Sequence, residues 1–142
     1  MKKLTIFVLI VICLISMTSC DFISTLKGMS DSCRDVCDFW DAVKADEFDI
    51  ACSLLHPNSE VLPSELENHL SMIEDELGIN FTKDLYIIDV YSTLALNENF
   101  ETSYFTQGYL AVDGKTYVFK FLTVDDEEGF GIYSFSVEPY TK

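Results

Sequence analysis

Three cysteines and one histidine recur at helical spacing in the first half of the chain. Cys33 and Cys37 lie four residues apart, and so do Cys52 and His56, which places each pair on one side of a helix. In an antiparallel helical hairpin, Cys37 would lie opposite Cys52, and Cys33 opposite His56. Three chemistries fit this pattern: a Cys37–Cys52 disulfide, free thiols buried between the helices, or a tetrahedral zinc site of all four side chains. The spacing alone leaves the three open.

A further cysteine, Cys20, ends a stretch typical of exported proteins. Lys2 and Lys3 give the chain a positive start, and residues 4–15 form an apolar run. This run is shorter than the roughly 20 residues that a membrane-spanning helix needs. The pattern therefore predicts a signal peptide over residues 1–19.

The small residues before Cys20 resemble the lipobox of bacterial lipoproteins, since Thr18 and Ser19 suit the two positions that precede its cysteine. The resemblance implies that Cys20 carries acyl chains such as palmitate and becomes the first residue of the mature chain. Residues 20–30 would then be a lipidated tether, and the protein would be exported and lipid-anchored to the bacterial cell membrane. Two or three acyl chains hold a domain durably, whereas one chain binds marginally.

The charge of the chain excludes one class of partner. Without Lys2 and Lys3, seven basic residues face 24 acidic ones, a formal charge of −17. Such a field repels phosphate backbones and anionic headgroups, so we expect no nucleic-acid binding and no membrane attachment other than through the lipid. The remaining 31–142 segment has the length and apolar content of a single domain.

Helical periodicity runs through the first half of this domain. Apolar positions predict a first helix over 31–44, with Ser30 or Asp31 as its cap, and a second short helix that ends before Pro57. A third helix is predicted to begin at a capping box formed by Ser64 and Glu67 and to end at Gly78. Its buried stripe is expected to be Leu66, Leu70, Ile73 and Leu77.

From residue 85 the period changes to the alternation of strands. We predict four strands over about 85–96, 100–112, 115–125 and 130–138, with a two-residue hairpin at Asp113-Gly114. The helix-covered face is expected to carry Tyr104, Leu110, Val112, Tyr117, Phe119 and Phe121. We expect Ile88, Val90, Leu94 and Leu96 to share this face, which requires an odd residue or a bulge in the turn at 97–99. The opposite face carries Phe105, Tyr109, Val118 and Leu122, so we expect it to be covered. A second copy of the chain is the simplest cover, and partial cover by the tether is the alternative.

The predicted order, helices followed by a curved four-stranded antiparallel sheet, is that of an α+β fold. The lipobox-like segment precedes this domain. This arrangement resembles the small bacterial lipoproteins of the nuclear-transport-factor-like, cone-shaped, cystatin-like superfamily. The resemblance implies homodimers through the outer sheet face and a pocket between helices and sheet. Enzymes of that superfamily place an acid or base in the pocket.

Two side chains are the candidates for such an acid or base, His69 on the third helix and Asp89 on the first strand, with Trp40 as a wall of the pocket. Strand parity directs Asp89 outward. We find no motif for a catalytic nucleophile, a phosphate loop or a cofactor. The expected function is a non-enzymatic module that binds an envelope protein or a small ligand. The alternative is a small lyase- or isomerase-like enzyme.

Overall fold

The computed structural model describes the backbone of residues 2–96 and 102–141 and the side chains of residues 23–95 and 102–141. The strands form one curved, unclosed antiparallel sheet in the order β1-β2-β3-β4, and the helices pack on it. The predicted α+β architecture is therefore confirmed. The elements are α1 (Lys2–Lys44), α2 (Phe48–Ser53), a 3₁₀ turn (Pro63–Glu65), α3 (Leu66–Leu77), β1 (Tyr86–Leu96), β2 (Thr102–Val112), β3 (Lys115–Asp126) and β4 (Gly129–Pro139).

The first helix begins far earlier than predicted. Neither Ser30 nor Asp31 caps a helix, because both lie inside the continuous α1. Asp31 instead pairs with Arg34, one helical turn later, at 3.1 Å. The segment that we expected to be a tether is helical, and its Gly28 is buried against the sheet. A Cβ at residue 28 would overlap the ring of Tyr104, so glycine is what allows α1 to approach β2 here.

The third helix ends as predicted but begins differently. Ser64 lies in the 3₁₀ turn, and the residue that caps α3 is Glu65, which makes no side-chain capping hydrogen bond. The predicted capping box is therefore wrong. Gly78 ends α3 with φ 64° and ψ 41°, the left-handed conformation expected there. Of the predicted stripe, Leu66 and Leu70 are buried, and Ile73 and Leu77 are partly buried.

The hairpin between β2 and β3 confirms the predicted register. Asp113 and Gly114 have φ values of 50° and 74°, which is the pair of positive angles that a two-residue hairpin of this kind requires. Across the ladder, Gly108 lies opposite Phe119, and a Cβ at residue 108 would approach the Phe119 ring to 2.7 Å. The buried face carries the predicted Tyr104, Leu110, Val112, Tyr117, Phe119 and Phe121.

The register of β1 differs from the prediction at one residue. A bulge lies between Ile87, which pairs with Leu110, and Asp89, which pairs with Tyr109. Because the bulge adds a residue, Ile87 faces the core and Ile88 is 52% exposed. The prediction that Ile88 shares the buried face is therefore wrong.

Beyond the bulge, β1 follows the predicted alternation. Val90 pairs with Gly108 and Leu94 with Tyr104, so both belong to the helix-covered side of the sheet. Val90 is partly buried there, whereas Leu94 is 40% exposed. The predicted turn at 97–99 and the side chain of Leu96 lie outside the described residues.

Candidate functional site

The space between the helices and the sheet is filled by aromatic rings. Trp40 is fully buried, and its ring centroid lies 5.2 Å from that of Phe81 and 5.7 Å from that of Phe121. Phe39 packs edge-on against Trp40 at 5.5 Å and against Phe121 at 5.4 Å. Trp40 is thus a core residue and does not form the wall of an open pocket.

Buried hydroxyl groups join α1 to three strands of the sheet. The Ser32 Oγ lies 2.6 Å from the Thr106 Oγ1 and 2.8 Å from the Thr123 Oγ1, and Thr106 donates to the Ser92 Oγ at 2.9 Å. Ser32, Thr106 and Thr123 are fully buried. Buried hydroxyls need such partners, because each unpaired one costs free energy. This hydroxyl chain fixes the position of α1 on the sheet.

Sequence reasoning missed the hydroxyl chain, although one signal was present. Ser32 lies four residues before Val36 and seven before Phe39, so it shares their side of the helix. A polar residue at a core-facing position calls for a polar partner. Alternation also places Thr106 on the buried face of β2, between Tyr104 and Gly108.

Cys33, Cys37 and Cys52 are free thiols, each half-buried. The structure thus contains no Cys37–Cys52 disulfide, and the Cys52 thiol instead donates to the Pro63 carbonyl at 3.3 Å. Burial raises the pKa of all three thiols. Cys33 and two nearby aspartates raise the pKa of Cys37 further, and Asp49 raises that of Cys52. A thiol with a raised pKa stays protonated at neutral pH, so none of the three is an activated nucleophile.

The zinc arrangement is not assembled. Among the described residues, no group of three or more His, Cys, Asp and Glu side chains is placed to hold a metal ion. His56 does not join the cysteines because it points to the turn between β3 and β4. Its Nε2 donates to the Asp126 carboxylate at 3.0 Å, and its Nδ1 accepts the Asn58 backbone N–H at 3.1 Å.

The His56–Asp126 pair closes one end of the fold. His56 is 2% exposed, and its backbone N–H donates to the Ile132 carbonyl on β4 at 2.8 Å. Asp126 also accepts the Glu128 backbone N–H at 2.8 Å. That hydrogen bond, followed by the one from His56, lowers the pKa of the Asp126 carboxyl below its usual value. The hydrogen bond between the two side chains therefore fastens the α2–α3 connection to the sheet.

His69 and Asp89 lie in different surroundings. His69 is half-buried on α3, with its ring edge-on to Phe135 at 5.2 Å. It borders a surface groove of about 260 Å³ lined by Glu60, Val61, Glu65, His69, Ser134 and Phe135, which we call the β4 groove. Asp89 is exposed, as strand parity predicted, and accepts the Val90 backbone N–H at 2.9 Å. Trp40 and His69 therefore do not share a pocket.

The predicted lipidation site lies at the limit of what the structure describes. Residue 20 is within α1, but the Cys20 side chain lies outside the described residues. In the described part of the chain, no helix has both the length and the apolar character that crossing a membrane requires. Comparisons with protein-family models, curated proteins and solved structures found no match to this chain.

Proposed function

We propose that this protein is a lipid-anchored protein of the bacterial cell envelope that acts as a non-enzymatic binding module. The observation that carries the second half of this proposal is the filled interior. An enzyme built on helices over a concave sheet needs an open cavity with a positioned acid or base. Here Trp40 and its aromatic neighbours occupy that space.

The positions of the titratable side chains also favour binding over catalysis. His69 lies in a surface groove, and Asp89 is exposed on β1. His56 is buried, but both of its ring nitrogens are engaged in structural hydrogen bonds. A lyase- or isomerase-like reaction would require one of these groups to reach a substrate in a water-poor site. We therefore place the function on the surface of the domain.

The anchor is the other half of the proposal. Its support is the sequence around Cys20, with a positive start, a short apolar run and the small residues Thr18 and Ser19 before the cysteine. Without its leader the chain has a formal charge of −17 and gains nothing from anionic headgroups. Acyl chains on Cys20 would supply the attachment that the protein surface does not.

The outer face of the sheet is the surface that we propose for a second copy of the chain. Half-exposed Phe105, Tyr109, Val118 and Leu122 lie on it, and Lys120 on the same face is paired with Glu138 at 2.8 Å. Two chains this acidic repel each other, so a homodimer must form where carboxylates are few. Four strands of this length offer about 650 Å², close to the roughly 800 Å² per partner of a stable interface.

Metabolic labelling with a fatty acid tests the anchor. We expect label on the wild-type chain and its recovery in the membrane fraction, and loss of both in the Cys20→Ala variant. The Cys33→Ala variant is the matched control and should keep the label, because Cys33 lies within the folded domain. Label that persists in Cys20→Ala would overturn the proposal.

A further inference from the structure

We propose that the open edge of β4, together with the β4 groove, binds an extended peptide segment that carries a basic side chain. The inference rests on the proposed function as a binding module and names the class of its partner. Three features carry it: the strand-pairing pattern of β4, the shape and lining of the β4 groove, and the charge at its rim.

The chain already adds a segment of its own to the first part of this edge. Leu55 and Ile132 form a parallel bridge, in which Ile132 donates to the Leu54 carbonyl at 2.9 Å and accepts the His56 N–H at 2.8 Å. Glu60 then donates its backbone N–H to the Tyr133 carbonyl at 2.9 Å. The edge of β4 is thus suited to strand addition, and the described residues pair with it as far as Tyr133.

The remainder of the edge presents backbone groups without a strand beside them. Tyr140 donates its backbone N–H to the Thr116 carbonyl of β3, and antiparallel strands alternate the direction of these groups residue by residue. Counting back from Tyr140, Ser136 faces β3, whereas Phe135 and Val137 face away from it. In the described part of the chain no strand follows β4 in the sheet. An added strand would therefore pair with Phe135 and Val137.

The β4 groove beside this edge fits one long side chain of such a strand. Its floor is apolar, because Val61 and Phe135 are buried there. Its rim carries the exposed carboxylates of Glu60 and Glu65. A lysine or arginine side chain places its methylene groups on apolar surface and its charge at the end. The β4 groove offers apolar surface at its floor for the methylene groups and carboxylates at its rim for the charge.

The charge of the whole domain favours the same partner. With a formal charge of −17 after removal of the leader, the domain attracts basic segments and repels acidic ones. Backbone pairing alone does not discriminate between sequences, so specificity in strand addition comes from side-chain pockets. Glu60 and Glu65 are the side chains placed to provide it.

The test uses the full chain in detergent micelles and a fluorescent seven-residue peptide that alternates valine with arginine or lysine. Fluorescence anisotropy measures its affinity. We expect the basic peptide to bind. A peptide with glutamate at the basic positions should bind at least about tenfold more weakly, and so should a basic peptide N-methylated on alternate amides, because it cannot pair with the edge.

Two variants locate the binding. Glu60→Lys/Glu65→Lys reverses the charge of exposed side chains and should weaken the basic peptide about tenfold. Its control, Glu127→Lys/Glu128→Lys, makes the same change in net charge at the exposed β3–β4 turn and should weaken it by less than about threefold. Val137→Pro removes an outward N–H and should also abolish binding, with circular dichroism to verify its fold.

The outcomes separate this inference from the proposed function. No binding of the basic peptide, equal binding of the acidic or N-methylated peptide, or equal effects of the two charge-reversal variants would overturn the β4 site. If Val137→Pro fails to fold, the charge-reversal pair decides alone. Fatty-acid labelling at Cys20 is measured in a separate experiment. A labelled chain that binds no peptide overturns the β4 site alone. An unlabelled chain that binds the peptide overturns the anchor alone.

Discussion

At the scale of single residues, His56 and Asp126 show how a pair that could do chemistry is used for structure. The two are 70 positions apart in the chain, and each is held by a backbone N–H from a neighbouring turn. The Nδ1 of His56 accepts a hydrogen bond, so its Nε2 carries the hydrogen and donates the hydrogen bond that Asp126 accepts. With both ring nitrogens in these hydrogen bonds, His56 has no free nitrogen for a substrate.

The lowered pKa of Asp126 predicts how its contribution depends on pH. Its folded pKa lies below the unfolded value of about 3.9. The ionised carboxylate therefore stabilises the fold above about pH 4, and this contribution is lost as pH falls through the folded pKa. We expect Asp126→Asn to be less stable than wild type at pH 7 in urea denaturation, with a gap that narrows on acidification.

The control for this measurement is Glu127→Gln in the same turn, whose side chain is exposed. It should leave the pH profile of the free energy of unfolding close to that of wild type. A gap between wild type and Asp126→Asn that stays constant down to pH 3 would contradict the role of the ionised carboxylate.

At the scale of elements, the sheet was predictable because its signals are local. Strand alternation and the Asp113-Gly114 turn determine the pairing of β2 with β3 without reference to the rest of the fold. The bulge in β1 was not predictable from the sequence, since Ile87 and Ile88 are equally apolar and tertiary packing selects which one is buried. Likewise, Ser30 and Asp31 are residue types that favour helix N-caps. Because α1 begins well before them, the backbone N–H groups that a cap would satisfy are already paired within the helix.

The candidate site was predicted less well than the fold. Sequence identified Trp40 and His69 as pocket residues, but the distance of each from the surface depends on which rings pack around it. The β4 groove depends on how the 55–60 segment crosses the edge of β4. No periodicity in the sequence records that contact, because it joins an irregular segment to a distant strand.

The hydroxyl chain predicts the stability of the contact between α1 and the sheet. Ser32→Ala removes one group, leaves the buried Thr123 hydroxyl without this partner, and leaves Thr106 with Ser92 alone. We expect a loss of about 1–2 kcal/mol in the free energy of unfolding, measured by urea denaturation. Ser30→Ala, at an exposed position of the same helix, should change it by less than about 0.5 kcal/mol.

A compensating variant makes this prediction sharper. Replacing Thr106 and Thr123 by valine in the Ser32→Ala background removes the two remaining buried hydroxyls at nearly constant shape, and of the hydroxyl chain it leaves the half-buried Ser92. Most of the lost stability should return, because polar partners that are removed together cost little. A further loss of stability in the triple variant would show that packing volume, not hydrogen bonding, makes this contact.

At the scale of the whole molecule, the outer sheet face predicts the oligomeric state. We expect wild-type chain to sediment as a dimer in detergent micelles. Leu122→Glu places two carboxylates in the proposed contact and should raise the dimer dissociation constant by at least about tenfold. Met72→Glu, at a 69% exposed position of α3, is the control and should leave the dimer intact. A monomeric wild type, or a dimer that tolerates Leu122→Glu, would contradict the proposed interface.

The burial of Gly28 against Tyr104 also sets how far the domain can extend from the proposed anchor. Gly28 lies eight positions after Cys20 in α1, a rise of about 12 Å, whereas an extended linker of that length would span about 27 Å. If Cys20 is lipidated as proposed, a short and rigid helical segment, and not a flexible linker, connects the domain to the membrane. Its reach is then so limited that a partner must come close to the lipid surface to be bound.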